Sequence, residues 1–154
     1  MLQLSYTYTG RSIDVLMVDP PASITGAISL TYPRPSKICT GVQKLAQKFI
    51  IVLLTAPDTQ PFEVGRGTLL GSMVHTSVAI RRNLIEHACL SSVKSARDTI
   101  VEDQTDDTPG DEYLIDAELK DFAFTANGGI SFTVEMTTRD NTVYIIPLSI
   151  GSLT

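Results

Sequence analysis

His75 and His87 are the only imidazoles in the chain, and they stand twelve residues apart. A metal centre built on histidines needs ligands one helical turn apart or beside a Cys-x-x-Cys pair, and neither spacing occurs. Cys89 lies two residues from His87, the nearest approach in the chain to a thiol nucleophile with a base. It falls on the apolar face of a helical pattern, so a neutral core thiol is the expected state. Gly65-Arg66-Gly67-Thr68 has two glycines of a phosphate loop but lacks the remaining glycine spacing and the Lys-Ser/Thr pair, and reads as a turn into a helix. Glu63, Glu86, Glu102, Glu112, Glu118 and Glu135 are scattered, whereas a glycosidase needs two carboxyls ~5–10 Å apart across a sugar cleft. Glu102, Asp103, Asp106, Asp107, Asp111 and Glu112 crowd one stretch, but without the Gly and terminal Glu of an EF-hand loop they read as a solvated acidic turn. The expectation is a protein with no catalytic residues, no metal site and no cofactor: not an enzyme.

The elements around these residues follow from periodicity. Leu2, Leu4, Tyr6 and Tyr8, then Ile13, Val15 and Met17, alternate with polar residues about the turn Thr9-Gly10-Arg11-Ser12, which predicts an N-terminal hairpin. Asp19-Pro20-Pro21 ends it, Ile24 to Tyr32 forms a third extended piece, and Pro33-Arg34-Pro35 breaks the chain. Val42, Leu45, Ala46, Phe49, Val52 and Leu53 recur at helical spacing, and Thr40 with Gln43 fits a capping box. Gln43, Gln47 and Lys48 fall outside that face, Ile50 to Leu54 is apolar all round and should be buried, and Ala56-Pro57-Asp58 stops the helix. Thr68 to Met73 fits one short helical turn. A second long helical pattern runs from about Ser77 to Glu102, with Val78, Leu84, Ile85, Ala88, Cys89, Val93, Ala96 and Ile100 on its face and Ser91-Ser92 as a kink or division.

The last forty residues predict a β-meander. Tyr113, Ile115, Ala117 and Leu119 alternate, the phase slips at Lys120-Asp121, and Phe122 and Phe124 carry on, which predicts a bulge. Asn127-Gly128-Gly129 is a hairpin turn, Ile130, Phe132, Val134 and Met136 share a face, and Arg139-Asp140-Asn141 turns into Thr142 to Ile146. Pro147 places this last strand at an edge. The order of strands, two main helices and strands predicts an α+β fold, helices packed on one face of an antiparallel sheet. It reads as a single domain over 1–154, with N-terminal strands over 1–32, a helical part over 40–103 and the meander over 111–150.

Composition narrows the function classes. Twelve Lys and Arg against seventeen Asp and Glu give a net charge of −5, which argues against nucleic-acid binding. Charged residues make up 19%, below the ~25% of ordinary domains, and the excess is Thr and Ser, as expected of a surface covered by partners. The longest apolar run, Phe49 to Leu54, is about a third of a membrane span, and the N-terminus lacks the basic and apolar regions of a signal peptide. No membrane association is expected. Cys39 and Cys89 are read as reduced thiols rather than a disulfide framework.

The helix Thr40-Gly41-Val42-Gln43-Lys44-Leu45-Ala46-Gln47-Lys48-Phe49, its end Leu53-Leu54-Thr55, and Gly65-Arg66-Gly67-Thr68-Leu69-Leu70 form a distinctive set. In order and spacing they resemble baseplate wedge proteins of contractile phage tails, the IraD-like sheath initiators, some of which carry a "lysozyme-like" label. The resemblance covers Thr40 to Glu102 by residue and the meander by pattern. It implies an IraD-like fold and a structural virion protein, in six copies per baseplate, assembled in the host cytoplasm. It also implies contacts with the tail sheath protein, with other wedge proteins and, less directly, with the tail tube or hub. Its members often carry a Glu-Pro-Arg triplet after the second helix, used in wedge docking. Here Ala96-Arg97-Asp98 keeps only Arg97, which puts that contact in doubt.

An edge strand presents unpaired backbone groups that a partner strand can complete. The expected partner-binding residues are the strand residues Val143, Tyr144, Ile145 and Ile146 and, from the resemblance, Arg97; the resemblance implies that the sheath extends the sheet. The alternative is that the N-terminal hairpin covers this edge. Rival functions are a tail-associated cell-wall hydrolase and a cytosolic IraD-like adaptor.

Overall fold

A computed structural model describes residues 14–15, 18–19, 29–30, 38–59, 66–76 and 82–151. Four two-residue strands come first: β1 (Asp14–Val15), β2 (Val18–Asp19), β3 (Ser29–Leu30) and β4 (Ile38–Cys39). β1 pairs antiparallel with β4, and β2 with β3. Most of the N-terminal hairpin expected over Leu2 to Val18 lies outside the described residues. Where residues 14–15 are described, they pair with 38–39, a strand absent from the sequence reading.

Three helices follow: α1 (Val42–Leu54), α2 (Leu69–Thr76) and α3 (Arg82–Asp103). A meander of β5 (Leu114–Phe124), β6 (Ile130–Thr138) and β7 (Val143–Ile150) closes the chain as one antiparallel sheet in the order β5-β6-β7. The architecture is α+β. α3 packs against β5, and α1 and α2 pack against α3. Phe49 and Leu53 of α1, Leu70 of α2, Cys89, Val93 and Ile100 of α3, and Ile130, Val134 and Met136 of β6 meet in one core.

α1 has the expected bounds but not the expected cap. The residue before the helix is Gly41, and no side chain of its own segment caps it. Instead Glu112, from the turn after α3, accepts the Gly41 N–H at 2.9 Å, while Thr40 Oγ1 stands 3.5 Å from the same oxygen. Gln47 is buried rather than outside the apolar face, because its amide donates to Asp14 Oδ2 at 3.2 Å and so satisfies itself away from water. The apolar end of α1 is not buried all round: Ile51 is exposed.

α2 is longer than the single turn expected. Thr68 caps it, its Oγ1 accepting the Gly71 N–H at 3.0 Å. α3 is described from Arg82, so Val78 lies outside the described residues. Its helix is continuous through Ser91-Ser92, since Ser91 Oγ donates to Ala88 O and buried Ser92 Oγ accepts the Leu70 N–H at 2.9 Å. Leu84, placed on the packed face by its spacing, is exposed.

The meander carries the expected turns and bulge. Thr125 and Gly129 close the first turn, with Gly128 at φ 77°. Register shifts occur between Lys120 and Ala123, where Asp121 adopts φ 44°, and also between Leu114 and Asp116. That second irregularity overturns the expected phase at the start of β5: Leu114 and Ala117 are buried and Ile115 is exposed. β6 alternates throughout, with Ile130, Phe132, Val134, Met136 and Thr138 buried. β7 runs to Ile150 rather than ending at Pro147, and pairs with β6 along its length.

Candidate functional site

The residues that distinguish the helical part form a tightly joined unit. Thr68 N donates to Thr55 O at 2.8 Å, and Thr68 Oγ1 donates to Leu53 O at 2.5 Å. These bonds occupy carbonyls that the end of α1 leaves without helical partners. A Cβ on Gly71 would lie 2.1 Å from Thr55 O, so α2 can sit this close only with glycine there. Gly67, at φ 122°, is likewise pressed against Ala56 and Pro57. Arg66 forks onto both oxygens of Asp103 at the end of α3, one bond being 2.8 Å, and Lys48 of α1 reaches Asp103 Oδ2 at 3.1 Å. The Arg66 hydrogen bonds, helped by Lys48, hold the Asp103 carboxyl below the usual aspartate range.

The acidic stretch is therefore not all solvated. Asp103 ties three elements together, and Glu112 is buried, with Lys44 Nζ at 3.1 Å from its Oε2. Between these ion pairs lies an open cleft of about 320 Å³, lined by Lys44, Lys48, Ile100, Gln104, Thr108 and Pro109 among others. Its charged walls are these ion pairs together with Asp107, so its form follows largely from the joining of α1 to the turn after α3.

The expected partner-binding strand has an open side. β7 is hydrogen-bonded to β6 alone among the described residues. The turn fixes which groups face outward. Asn141 N donates to Thr138 O and Thr138 N to Thr142 O, so the pairs Met136–Tyr144 and Val134–Ile146 are the hydrogen-bonded ones. The N–H and C=O of Val143 and Ile145 then point away from β6. Pro147, opposite Thr133, falls in the same phase, and its missing N–H costs β6 nothing. Val143 and Ile145 are 52% and 66% exposed, whereas Ile146 packs against the core. β5, at the other end of the sheet, likewise pairs with β6 alone among the described strands, an edge the sequence reading did not consider.

Arg97 is placed apart from β7. Its Nη1 donates to Asp116 Oδ1 at 3.0 Å, and its Nε and Nη2 donate to Asp98 Oδ1 at 2.9 and 2.7 Å. These hydrogen bonds, that to Asp98 first, raise its already high pKa further. The guanidinium thus ties α3 to β5. Asp116 faces Thr137, which faces Val143, so Arg97 meets the same cross-strand row but at the opposite side of the sheet.

On the sheet's outer face, the one turned from the helices, the structure groups Glu118, Lys120 and Glu135, a juxtaposition that sequence reasoning did not find. Glu118 stands opposite Glu135, and Lys120 Nζ lies 2.7 Å from Glu118 Oε2 and 3.9 Å from Glu135 Oε1. Glu118 holds the Lys120 ammonium above its usual pKa. Counting back from the Asn127-Gly128-Gly129 turn would have set Glu118 against Met136; the bulge shifts it to Glu135.

Cys89 is fully buried, and burial pushes its thiol up to about 12, the inert state expected of a core cysteine. Burial, followed by the charge of Asp14, also raises Cys39. His87 is exposed on α3, and the side chain of His75 lies outside the described set. Among the described residues, no three His, Cys, Asp or Glu side chains gather as metal ligands, and no helix is long and apolar enough to cross a membrane.

The fold is an α+β domain whose three-stranded antiparallel sheet ends at β7, a strand paired with β6 alone among the described residues. Comparison with family models, with curated proteins and with solved structures returns no match.

Proposed function

We propose that this chain is a structural subunit of a contractile phage tail. In this reading it is an IraD-like baseplate wedge protein on which the first ring of tail sheath begins, by adding a strand to β7. One observation carries the proposal: β7 presents the backbone groups of Val143 and Ile145 on the side that no described strand pairs with, beside their exposed side chains. Strand addition uses these features, main-chain bonds for affinity and alternate side chains for specificity. The motif residues that motivated the resemblance support it in a second way. Gly41, Lys44, Lys48, Arg66, Gly67 and Thr68 each have a stated task in joining the helical part, so the sequence signature corresponds to a physical unit.

The partners in this reading are the sheath protein at β7, other wedge proteins, and the tube or hub, with six copies in the baseplate and no nucleic acid or membrane. Arg97 is a weaker candidate for wedge docking, because Asp98 and Asp116 already engage its guanidinium. The carboxylates with the most defined surroundings, Asp103, Glu112 and Asp116, hold the fold together through Arg66, Gly41 and Arg97, which favours a structural protein over a cell-wall hydrolase. Mass spectrometry of purified virions tests the proposal. The chain should be present at baseplate stoichiometry; particles that lack it would exclude this role.

A further inference from the structure

The outer face of the sheet is banded. β5 contributes the acidic Glu118 with Lys120, β6 a strip of Thr133, Glu135 and Thr137, and β7 the exposed Val143 and Ile145. Like charges directly opposite in an antiparallel pair destabilise it, yet Glu118 faces Glu135, with one ammonium between two carboxylates. The register shift at Lys120–Ala123 is what brings them together. Beside it, two branched aliphatic side chains stand more than half exposed. Strands ~4.8 Å apart put β5 and β7 ~10 Å from each other, about the width of one α-helix.

We infer that this face docks a basic amphipathic helix of a partner protein, lying over β6. Its cationic flank meets Glu118 and Glu135, and its aliphatic flank covers Val143 and Ile145. The charge complement is explicit: Glu118, Lys120 and Glu135 together carry one net negative charge, Asp116 on the same face is engaged by Arg97, and an apolar strip lies one strand away. This contact takes the outer-face side chains of Val143 and Ile145, whereas strand addition takes the edge backbone of the same residues, and it does not require strand addition to occur.

Chemical-shift mapping of the purified chain with a synthetic acetylated, amidated 14-residue helix of Leu and Lys tests the inference without any virion component. The expected shifts lie on the outward residues of β5, β6 and β7. Affinity should fall at least tenfold in Glu118→Lys/Glu135→Lys and at least fivefold in Ile145→Ser, and stay within twofold in Glu86→Gln/Glu102→Gln on α3. A scrambled peptide of the same composition should bind at least tenfold more weakly. Should the double reversal fail to fold, Ile145→Ser and Glu135→Gln carry the same comparison. Shifts centred on the Lys44–Asp103 cleft or the 106–111 turn, equal binding of the scrambled peptide, or variants that bind like wild type would overturn it. So would a map in which residues 1–13 of the chain itself already shield the face from the peptide.

Discussion

Glu112 Oε1 accepts the backbone N–H of Gly41 at 2.9 Å, from seventy-one residues further along the chain. A carboxylate at the first turn also meets the positive end of the helix dipole, and Lys44 Nζ completes the arrangement at 3.1 Å. Glu112→Ala leaves a buried donor without its partner and should cost ~1–3 kcal/mol. Thr40→Ala removes only the long 3.5 Å contact and should cost less than ~0.5 kcal/mol. Chemical denaturation of the two variants checks the order; a larger loss for Thr40→Ala would restore the local capping box.

Gly71→Ala should be among the most damaging single-methyl changes in the chain. The added Cβ meets Thr55 O at 2.1 Å and Thr55 C at 2.3 Å, both backbone atoms that cannot turn aside. Overpacking of this kind costs ~1–3 kcal/mol and sometimes more, or a fall in Tm of roughly 2–4 °C for each kcal/mol in a domain of this size. A variant with unchanged Tm would mean that α2 is not held against the end of α1.

These two positions show why part of the fold could be read from sequence and part could not. The bounds of α1, the turn at Asn127–Gly129, the bulge after Lys120 and the edge position of β7 all arise from local chemistry: period, turn residues and proline. Glu112 and Gln47 were misread because their partners, Gly41 and Asp14, are distant in sequence. Ile115 was misread because one extra residue at the start of β5 reverses the alternation that places it inward. The outward backbone of Val143 and Ile145 needed the register, and the Glu118–Glu135 pair needed the bulge as well.

Asp103 gives the protein an acid-sensitive clamp. Its carboxyl titrates lower in the folded chain than in the unfolded one, chiefly through Arg66. The stabilisation is therefore complete above the unfolded value, ~4, and is lost as pH falls through the folded one. Asp103→Asn should be less stable than wild type at pH 7 by ~1–3 kcal/mol. The gap should narrow steadily below about pH 4. Urea midpoints across pH 3 to 7 read this directly; a gap independent of pH would assign the loss to packing instead.

Both cysteines should resist alkylation in the native protein. Cys89 is fully buried with its thiol pushed up to about 12, and Cys39 is buried and raised. Iodoacetamide at pH 8 should modify them at the rate of global or local opening, and denaturant should release both. Fast stoichiometric labelling of Cys89 in native buffer would contradict its place in the core.

Sheath initiation at β7, as proposed, is tested with the least disturbance to the fold by Ile145→Pro. The Ile145 N–H points to the open side, in the same phase as Pro147, so the proline removes an outward donor while the β6 ladder keeps its bonds. Tyr144→Pro, one residue earlier, removes a bond to β6 and serves as the destabilised comparison. Electron microscopy of tails assembled with Ile145→Pro is the decisive measurement. The account predicts baseplates that contain the variant, on tubes without sheath. Full-length sheaths on those tails would contradict it and move the sheath contact away from β7.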